Sequence, residues 1–287
     1  MTAYTTLISA PELQALHAAR APLFVFDCSF DLAQPLLGGQ QYLQGHIPGA
    51  LHADLDRHLS AAPGRARASG GRHPLPARED FAAWLASIGF ANGMQAVVYD
   101  QSGVNYCVRL WWMLKWAGHE AVAVLDGGLP AWKAAGGALA QGQEAARTPG
   151  GFALGAPLAR LIRVDEVQAQ LGSAGQTVID ARAPARYRGE VEPLDPVAGH
   201  IPGALNRPFT QNLADDGRLK SAAQLRAEFS ALLDGRPADS VVHQCGSGVT
   251  ATPNLLAMEV AGLGRTALFA GSWSEWCADP ARPVERG

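Results

Sequence analysis

The sequence lacks the usual marks of disulfide-stabilised, metal-binding and membrane-spanning proteins. Its 4 cysteines lie far apart without a Cys-x-x-Cys pair, so neither a disulfide framework nor a zinc site is indicated. No apolar stretch approaches the roughly 20 residues that a transmembrane helix needs. The net charge of only −3 gives no electrostatic signature for nucleic acid or anionic lipid.

The start of the chain also lacks a targeting signal. Residues 1–6 contain neither a basic segment followed by an apolar core nor an arginine-rich amphipathic pattern, and these are the marks of secretory and organellar targeting. With 48% hydrophobic and 17% charged residues, the composition is that of a well-packed soluble protein. We therefore expect a cytoplasmic protein with neither nucleic-acid nor membrane partners.

The clearest pattern present is an internal tandem repeat. Gly-His-Ile-Pro-Gly-Ala-Leu at 45–51 recurs at 199–205. Two copies of one unit of about 130 residues therefore make up the chain. We predict domains at 1–140 and 158–287, joined by a linker at 141–157 that is rich in Gly, Ala, Gln and Pro.

In each copy, short apolar runs of strand length alternate with longer helical patterns. This alternation predicts an α/β fold with two tandem domains, each a mainly parallel sheet flanked by helices. The predicted strands are 23–26, 50–52, 96–99 and 121–125 in the first copy and 177–180, 204–206, 240–244 and 266–269 in the second.

Cys245 stands in a loop of small residues between a predicted strand and a predicted helix. Gly246 and Gly248 allow several backbone N–H groups to point toward the sulfur, and the helix that follows adds the positive end of its dipole. Both effects favour the thiolate, which is the nucleophilic form. Most free cysteines are small packing residues, but this setting predicts a reactive Cys245.

Other loop chemistries fit these residues less well. Gly246-x-Gly248-x-x-Ala251 formally matches a dinucleotide fingerprint, yet no acidic residue ends the next strand. A phosphate-binding Walker loop needs Gly-Lys-Ser/Thr, and a cysteine phosphatase needs an arginine where Ala251 stands. A thiolate surrounded by N–H donors, in a loop without a cationic side chain, fits a nucleophile that attacks sulfur and holds a persulfide.

The two copies differ where chemistry is expected. Gln101 occupies the first-copy position of Cys245, so the second domain is predicted to be catalytic and the first to be a scaffold that supplies part of the pocket. The second copy also carries Arg182, Arg186 and Arg188 after a strand. Because guanidinium groups pair with carboxylates in bidentate fashion, these arginines suit an anionic substrate. A solvated loop is the alternative for Arg182 and Arg188.

Nearly the whole chain resembles the two-domain rhodanese family of sulfurtransferases. The paired Gly-His-Ile-Pro-Gly-Ala turns, Asp-Gly-Gly at 126–128, Gly-Ser-Trp-x-x-Trp at 271–276 and Cys-Gly-Ser-Gly-Val-Thr at 245–250 carry the resemblance. The last motif resembles the branch that uses 3-mercaptopyruvate. The resemblance implies that Cys245 takes sulfur from this donor, releases pyruvate and keeps a persulfide, without a cofactor. A thiol, thioredoxin or cyanide then accepts the sulfur.

The resemblance also implies roles for individual residues. Ser247, His73 and Asp56 correspond to a Ser-His-Asp arrangement that assists proton transfer. Arg186 corresponds to an arginine that binds the substrate carboxylate, whereas a second such arginine aligns with Leu194. The further predicted substrate contacts are Gly246, Gly248, Val249, Thr250 and Arg182.

Several assignments stay open at this point. A thiosulfate:cyanide sulfurtransferase is the alternative enzyme, although family members that prefer thiosulfate carry basic residues after the cysteine. A non-catalytic carrier that holds a persulfide for a partner protein is the alternative outside enzymes. Arg65, Arg67 and Arg72 either shape the pocket entrance or face water, and we expect them to face water. His46 and His200, present in both copies, are expected to brace their turns by hydrogen bonds.

Overall fold

A computed structural model describes residues 3–287, so the first two residues of the predicted domain 1–140 lie outside the described residues. Over residues 3–287 the chain forms two compact units, and each is built on a five-stranded sheet in which neighbouring strands are parallel. Helices connect the strands. The predicted α/β fold class, with two tandem parallel sheets, is confirmed.

The first unit comprises the described residues up to Ala66, together with Pro76–Leu158 and Asp215–Leu219. Its sheet has the strand order β1-β5-β4-β2-β3. Its elements are β1 (Leu7–Ile8), α1 (Ala10–Ala18), β2 (Leu23–Asp27), α2 (Leu37–Gln44), β3 (Leu51–His52), α3 (Arg78–Ser87), β4 (Gln95–Tyr99), α4 (Cys107–Trp116), β5 (Val122–Leu125) and α5 (Gly128–Ala134).

The second unit comprises Arg67–Leu75, Ala159–Ala214 and Lys220–Gly287. Its sheet repeats the same topology in the order β6-β10-β9-β7-β8. Its elements are β6 (Arg160–Leu161), α6 (Val164–Ala169), β7 (Thr177–Asp180), α7 (Pro184–Tyr187), β8 (Leu205–Asn206), α8 (Ala222–Leu233), β9 (Val241–Gln244), α9 (Thr252–Val260), β10 (Ala267–Leu268) and α10 (Ser272–Trp276).

The central strands place the candidate residues of the second unit at one edge of its sheet. β7 and β9 are neighbours in parallel register, with Asp180 opposite Gln244. All four residues of each strand are buried, as expected for a sheet covered on both faces. The loops after β7 and β9 therefore leave the same carboxyl edge, where ligands bind in open α/β sheets.

Three stretches of chain depart from the predicted domain boundaries. One of them is Asp215–Leu219, which lies within the predicted domain 158–287 but belongs to the first compact unit. Residues Arg67–Leu75 lie within the predicted domain 1–140 but belong to the second compact unit. The predicted linker 141–157 packs on the first unit, where Glu144 accepts a hydrogen bond from the Gly49 N–H at 2.7 Å. The exchange of residues 67–75 matters most, because this segment contains His73.

The repeated Gly-His-Ile-Pro-Gly turns are braced in the expected way. His46 Nδ1 lies 2.8 Å from the carbonyl oxygen of Tyr42 and its ring stacks on the Tyr42 ring. His200 makes the same pair of contacts with Tyr187, also at 2.8 Å. Both histidines are therefore structural.

The edge strands β1 and β6, each two residues long, were not predicted. The equally short β3 and β8 were predicted, since they follow the repeated Gly-His-Ile-Pro-Gly turn. None of the helices formed by residues 3–287 is long and apolar enough to cross a membrane.

Candidate active site

Cys245 begins the loop that joins β9 to α9. Its thiol is free and the residue is only 1% exposed. The loop turns at Gly248, which has φ +75°, and a Cβ there would lie 2.0 Å from the carbonyl oxygen of Ala270. Glycine is therefore required at this position.

The short helix α10 fixes the backbone on both sides of the cysteine sulfur. The Cys245 N–H donates to Ser272 Oγ at 3.1 Å. In return, the Trp273 N–H donates to the Cys245 carbonyl at 3.0 Å and the Ser274 N–H donates to the Gly246 carbonyl at 2.9 Å. The Gly-Ser-Trp motif found in the sequence is thus the support on which the cysteine loop rests.

Most of the loop's N–H groups remain available for an anion. Within residues 3–287, the N–H groups of Gly246, Ser247, Val249 and Thr250 donate to no protein acceptor. Val249 instead uses its carbonyl, which accepts from the N–H and hydroxyl of Thr252 at the start of α9. Backbone N–H groups gathered in this way form an anion-binding concavity. The predicted backbone contacts around Cys245 therefore have suitable chemistry.

The structure brings His73 and Ser247 together. His73 Nδ1 lies 2.7 Å from Ser247 Oγ, and both residues are 6% exposed. The segment that carries His73 approaches α10 closely at Gly71, which has φ +83° and whose Cβ would lie 2.4 Å from the Gly271 carbonyl. A hydroxyl paired with an imidazole at this distance can give or take a proton.

Asp56, the predicted third member of this arrangement, lies in the first unit. It is exposed, and its N–H donates to Asp54 Oδ1 at 2.9 Å. Its part in orienting His73 stays a prediction.

Arg186 lies beside the cysteine loop, as predicted. Its Nη1 is 3.3 Å from the position that a Cβ of Gly246 would occupy. Its Nε and Nη2 donate to the carboxylate of Glu192, and Nη2 also donates to Asp195 Oδ2 at 3.2 Å. The guanidinium is thus held on one edge by two buried carboxylates.

Arg182 does not fit its predicted role as a substrate contact. Its side chain is 1% exposed, and its guanidinium donates to the Asp180 carboxylate, Glu192 Oε2 and the Gly199 carbonyl. It also lies 4.7 Å from the Trp273 ring centroid. Because these protein groups occupy the guanidinium, Arg182 anchors Glu192 and, through it, Arg186.

Charge compensation keeps Glu192 and Arg182 ionised. Burial alone would raise the pKa of Glu192, but hydrogen bonds and charge from Arg186 and backbone N–H groups of Leu194 and Asp195 lower it below its usual value. Burial alone would likewise lower the pKa of Arg182, whereas Asp180 and Glu192 raise it. The Glu192 carboxylate therefore holds Arg186 in place as an anion.

Arg72 was expected to face water rather than to shape the pocket entrance, but it lies at the cysteine loop. Its Nη2 is 3.3 Å from the Cβ position of Gly246, and its Nη1 donates to Asp195. Leu194, which aligns with a family arginine, is 49% exposed. The position of Arg72 immediately before His73 is the sequence signal that pointed here.

The arrangement combines a free cysteine, open N–H donors, a hydroxyl–imidazole pair and arginine side chains at one end of a parallel sheet. It can bind a small anion, attack it with sulfur and transfer a proton.

The chain is similar in sequence and in structure to known sulfurtransferases, and it matches one family model in two regions. The family model described as a rhodanese-like domain matches residues 9–135 and 163–279. The chain is 49% identical to a probable 3-mercaptopyruvate sulfurtransferase of Pseudomonas aeruginosa over 98% of both chains. It is 42% identical to a putative thiosulfate sulfurtransferase, SseB, of Mycobacterium tuberculosis, over 98% of this chain and 97% of that one. The structure is similar to that of 3-mercaptopyruvate sulfurtransferase from Leishmania major, with a TM-score of 0.82, 31% identity, and coverage of 96% of this chain and 74% of that one.

Proposed function

The chain belongs to the rhodanese family, and we propose that it is a sulfurtransferase that moves sulfur from 3-mercaptopyruvate through a persulfide on Cys245 to an acceptor, releasing pyruvate. The choice of 3-mercaptopyruvate as the donor rests on the contact of 2.7 Å between His73 Nδ1 and Ser247 Oγ. When mercaptopyruvate gives up its sulfur, the leaving group is the enolate of pyruvate, whose carbon must gain a proton. When thiosulfate gives up its sulfur, the leaving group is sulfite, which needs no proton. A proton-transfer pair in the cysteine loop therefore favours mercaptopyruvate.

In the first half-reaction the Cys245 thiolate attacks the sulfur of the donor. An S–S bond forms, the bond between sulfur and C3 of the donor breaks, and its electron pair goes to C3. The proton of the donor thiol passes through Ser247 to His73 and then to C3, which gives pyruvate. The electrons of the former S–H bond remain on sulfur, so Cys245 is left as a persulfide anion facing the loop N–H groups.

In the second half-reaction an acceptor nucleophile attacks the outer sulfur and regenerates the Cys245 thiolate. A thiol, thioredoxin or cyanide can serve, since each attacks sulfur as a nucleophile. We propose that no cofactor takes part, because the cysteine itself carries the transferred atom. The cytoplasm remains the proposed compartment.

Thiosulfate is the second candidate donor, and one observation favours it. The loop itself contains no cation, but Arg72 and Arg186 place two guanidinium groups at Gly246. These arginines weaken the sequence argument against thiosulfate, because the positive charge suits a dianion. The Mycobacterium tuberculosis relative is named for this donor.

Steady-state kinetics with each donor tests the proposal. Wild-type protein and Cys245→Ser are assayed with 3-mercaptopyruvate and with thiosulfate, while pyruvate and sulfite are measured separately. We expect many turnovers, a higher kcat/KM for mercaptopyruvate, and loss of activity by a factor on the order of 10⁴ or more in the variant. A higher kcat/KM for thiosulfate would overturn the donor assignment, and a single turnover would instead support a sulfur carrier.

A further inference from the structure

The short helix α10 holds the segment that carries His73 by two consecutive side chains. Ser274 Oγ accepts a hydrogen bond from the Arg72 N–H at 3.0 Å. The partly buried Glu275 carboxyl accepts another from the Gly70 N–H. All of these residues belong to the second compact unit. The backbone of the segment is thus fixed at alternate residues directly before the histidine.

The Glu275 carboxyl lies in a space that two glycines leave open. A Cβ at Gly70 would lie 2.3 Å from Glu275 Oε1, and a Cβ at Gly271 would lie 1.5 Å from Glu275 Oε2. Atoms cannot approach so closely, so a larger residue at either position would displace the carboxyl. The contact between Glu275 and Gly70 is therefore a packed contact and not a loose surface interaction.

An ion pair with Arg282 is the other role open to Glu275, but the guanidinium is used elsewhere. Arg282 Nη1 donates to the backbone carbonyl oxygens of Glu275 and Trp276. Its Nη2 lies 3.6 Å from Asp279 Oδ2. Arg282 thus binds the end of the helix, and the Glu275 carboxyl serves the Gly70 N–H.

The first unit lacks both acceptors on the corresponding helix. In the repeat, Pro130 takes the place of Ser274 and Ala131 takes the place of Glu275. Neither of these first-unit side chains can accept a hydrogen bond. The two acceptors therefore occur in the unit that contains Cys245, which indicates a role connected with the cysteine loop.

Through these contacts α10 positions both members of the hydroxyl–imidazole pair. One of its N–H groups donates to the Gly246 carbonyl at 2.9 Å, immediately before Ser247. Its Glu275 side chain holds the backbone three residues before His73. The distance of 2.7 Å between His73 Nδ1 and Ser247 Oγ therefore depends on one short helix that binds two separate segments.

We propose that Glu275 is a positioning residue, which fixes the Gly70 N–H and thereby keeps His73 within proton-transfer distance of Ser247. Glu275 acts through His73 and need not touch the sulfur donor. This inference rests on the proposed function for the role of His73 in proton transfer, whereas the position of His73 depends only on the contacts of the segment. Loss of the carboxyl should weaken a reaction that needs a proton and spare one that needs none.

Steady-state kinetics of Glu275→Ala with both sulfur donors is the first test. With 3-mercaptopyruvate we expect kcat to fall about 10- to 100-fold, because a displacement of about 1 Å at a reacting group can cost that much. With thiosulfate, whose leaving group needs no proton, kcat should stay within about threefold of wild type. Equal losses with the two donors, or full activity with both, would overturn the inference.

Glu275→Gln should restore most of the activity that Glu275→Ala loses. Its amide oxygen can accept from the Gly70 N–H at the same chain length, although a neutral acceptor is weaker than a carboxylate. We therefore expect kcat with 3-mercaptopyruvate within about threefold of wild type. A glutamine variant as impaired as the alanine variant would count against the inference.

Gly70→Ala breaks the same contact from the other side. The new Cβ displaces the carboxyl, so kcat with 3-mercaptopyruvate should fall as it does in Glu275→Ala. In the double variant the two losses should not multiply, because both substitutions remove one contact. Losses that multiply would show that the two residues act separately, which contradicts the proposed role.

Nuclear magnetic resonance of the His73 ring nitrogens gives a readout without turnover. The Nδ1 signal reports the hydrogen bond with Ser247, so it should shift in Glu275→Ala and stay near its wild-type position in Glu275→Gln. An unchanged signal in Glu275→Ala would overturn the inference. If wild-type protein does not turn over 3-mercaptopyruvate, the proposed function fails, and this signal still decides whether Glu275 positions His73.

Glu166→Ala is the matched control. Glu166 lies in the same unit, and its carboxyl accepts from the Arg163 N–H at 2.9 Å at the start of α6. Its replacement removes a comparable hydrogen bond, so stability should fall while kcat with either donor and the His73 signal stay unchanged. A selective loss of activity with 3-mercaptopyruvate in this variant would attribute the effect to general destabilisation and overturn the inference.

Discussion

The loop after β4 in the first unit and the loop after β9 in the second occupy equivalent positions in the repeat. They differ in whether their backbone N–H groups are bound by a side chain of the protein. In the first unit the buried Asp100 carboxylate accepts from the N–H groups of Ser102 at 2.9 Å, Asn105 at 3.2 Å and Cys107 at 3.1 Å. The N–H groups of this loop are therefore occupied by a carboxyl group of their own chain. Gln101 stands where the second unit has Cys245, so the first-unit loop has no thiol at this position.

In the second unit a neutral residue takes the place of that carboxylate. Gln244 corresponds to Asp100, and in residues 3–287 neither its amide nitrogen nor its amide oxygen has a hydrogen-bond partner, although it is fully buried. The N–H groups of Gly246 and Val249, which correspond to donors that Asp100 binds, remain without a protein acceptor. The two loops therefore differ in two ways: the second has a thiol at position 245, and its residue 244 has no carboxyl group to occupy the N–H groups of the loop.

The hydroxyl of the loop is a second difference, and removing it should have the largest effect. Ser247 corresponds to Gly103, so the first-unit loop has no hydroxyl at this position. Ser247→Ala should lower kcat with mercaptopyruvate about 10²- to 10⁴-fold, because general acid–base assistance has this magnitude. Activity with thiosulfate should fall far less, since sulfite leaves without a proton.

Steady-state assays that follow pyruvate and sulfite check this prediction. His73→Asn should reproduce the selective loss, and Ser102→Ala, a hydroxyl deletion in the first-unit loop, should leave both activities unchanged. Equal losses with both donors in Ser247→Ala would show that the hydroxyl supports the loop rather than the proton transfer.

The substitution Gln244→Asp gives the second-unit loop a carboxyl group at the position that Asp100 occupies in the first-unit loop. The new carboxylate should accept the N–H groups near Cys245 and repel a thiolate, a persulfide and an anionic donor. We expect kcat/KM to fall about 10²- to 10³-fold, as when donors of an oxyanion hole are lost. The rate of alkylation of Cys245 by iodoacetamide, which is neutral, reports the loss of thiolate directly.

Gln244→Asn is the matched control for that substitution, because it shortens the side chain by the same length without adding charge. It should keep most of the activity. If Asn and Asp at position 244 have the same effect, packing rather than charge distinguishes the two loops.

Asp100→Asn in the first unit should affect stability and spare activity. An amide cannot satisfy three N–H donors, so the free energy of unfolding should fall by about 1–3 kcal/mol, while kcat/KM stays within about twofold. Chemical denaturation measures the first quantity and the steady-state assay the second. A large loss of activity with normal stability would mean that the first-unit loop takes part in the reaction.

The difference in free energy of unfolding between wild type and Asp100→Asn should change with pH in a definite direction. Burial raises the pKa of the Asp100 carboxyl, and its hydrogen bonds from Cys107 and Ser102 only partly oppose this. Above the usual aspartate pKa the folded state keeps a proton that the unfolded chain has lost, so the contribution of Asp100 to stability falls as the pH rises. The stability advantage of wild type over Asp100→Asn should therefore narrow as the pH rises above the usual aspartate pKa.

Local patterns in the sequence predicted the sheets and the family, and Cys245 as the nucleophile stays a prediction. Buried strands such as Val241–Gln244 are continuous apolar or uncharged runs, and the repeat of the Gly-His-Ile-Pro-Gly turn revealed the tandem arrangement. The predicted membership of the rhodanese family is confirmed by the two matched regions. These features depend on neighbouring residues, so they can be read without knowing the tertiary structure.

The arginine cluster could not be predicted in the same way. Arg182 and Arg186 lie four positions apart, yet one is buried against Asp180 and the other faces the loop, because the ion-pair network decides their directions. The predicted role of Arg182 was wrong for this reason. Arg72 reaches Gly246 only because residues 67–75 belong to the second unit, and sequence separation hides such an exchange.

The two copies also differ in the residue that occupies one left-handed backbone position. Ser272 has φ +54°, in the left-handed region, and its first-unit counterpart is Gly128 with φ +58°. A side chain in this conformation costs roughly 1–2 kcal/mol, and the Ser272 hydroxyl accepts from the Cys245 N–H and donates to the Phe269 carbonyl at 2.9 Å. The second unit thus tolerates strain at a residue that holds the backbone of Cys245.

Ser272→Gly separates the strain from the hydrogen bonds. Relief of the left-handed conformation and loss of hydrogen bonding, each about 1 kcal/mol, should nearly cancel, so the melting temperature should change little. Activity should still fall about 3- to 10-fold, because the Cys245 N–H loses its acceptor and the thiol its fixed position. Ser272→Ala keeps the strain without the hydroxyl and should lower both activity and stability. If Ser272→Gly is fully active, the hydroxyl serves only to stabilise the turn, and the thiol is positioned by the N–H groups of Trp273 and Ser274 alone.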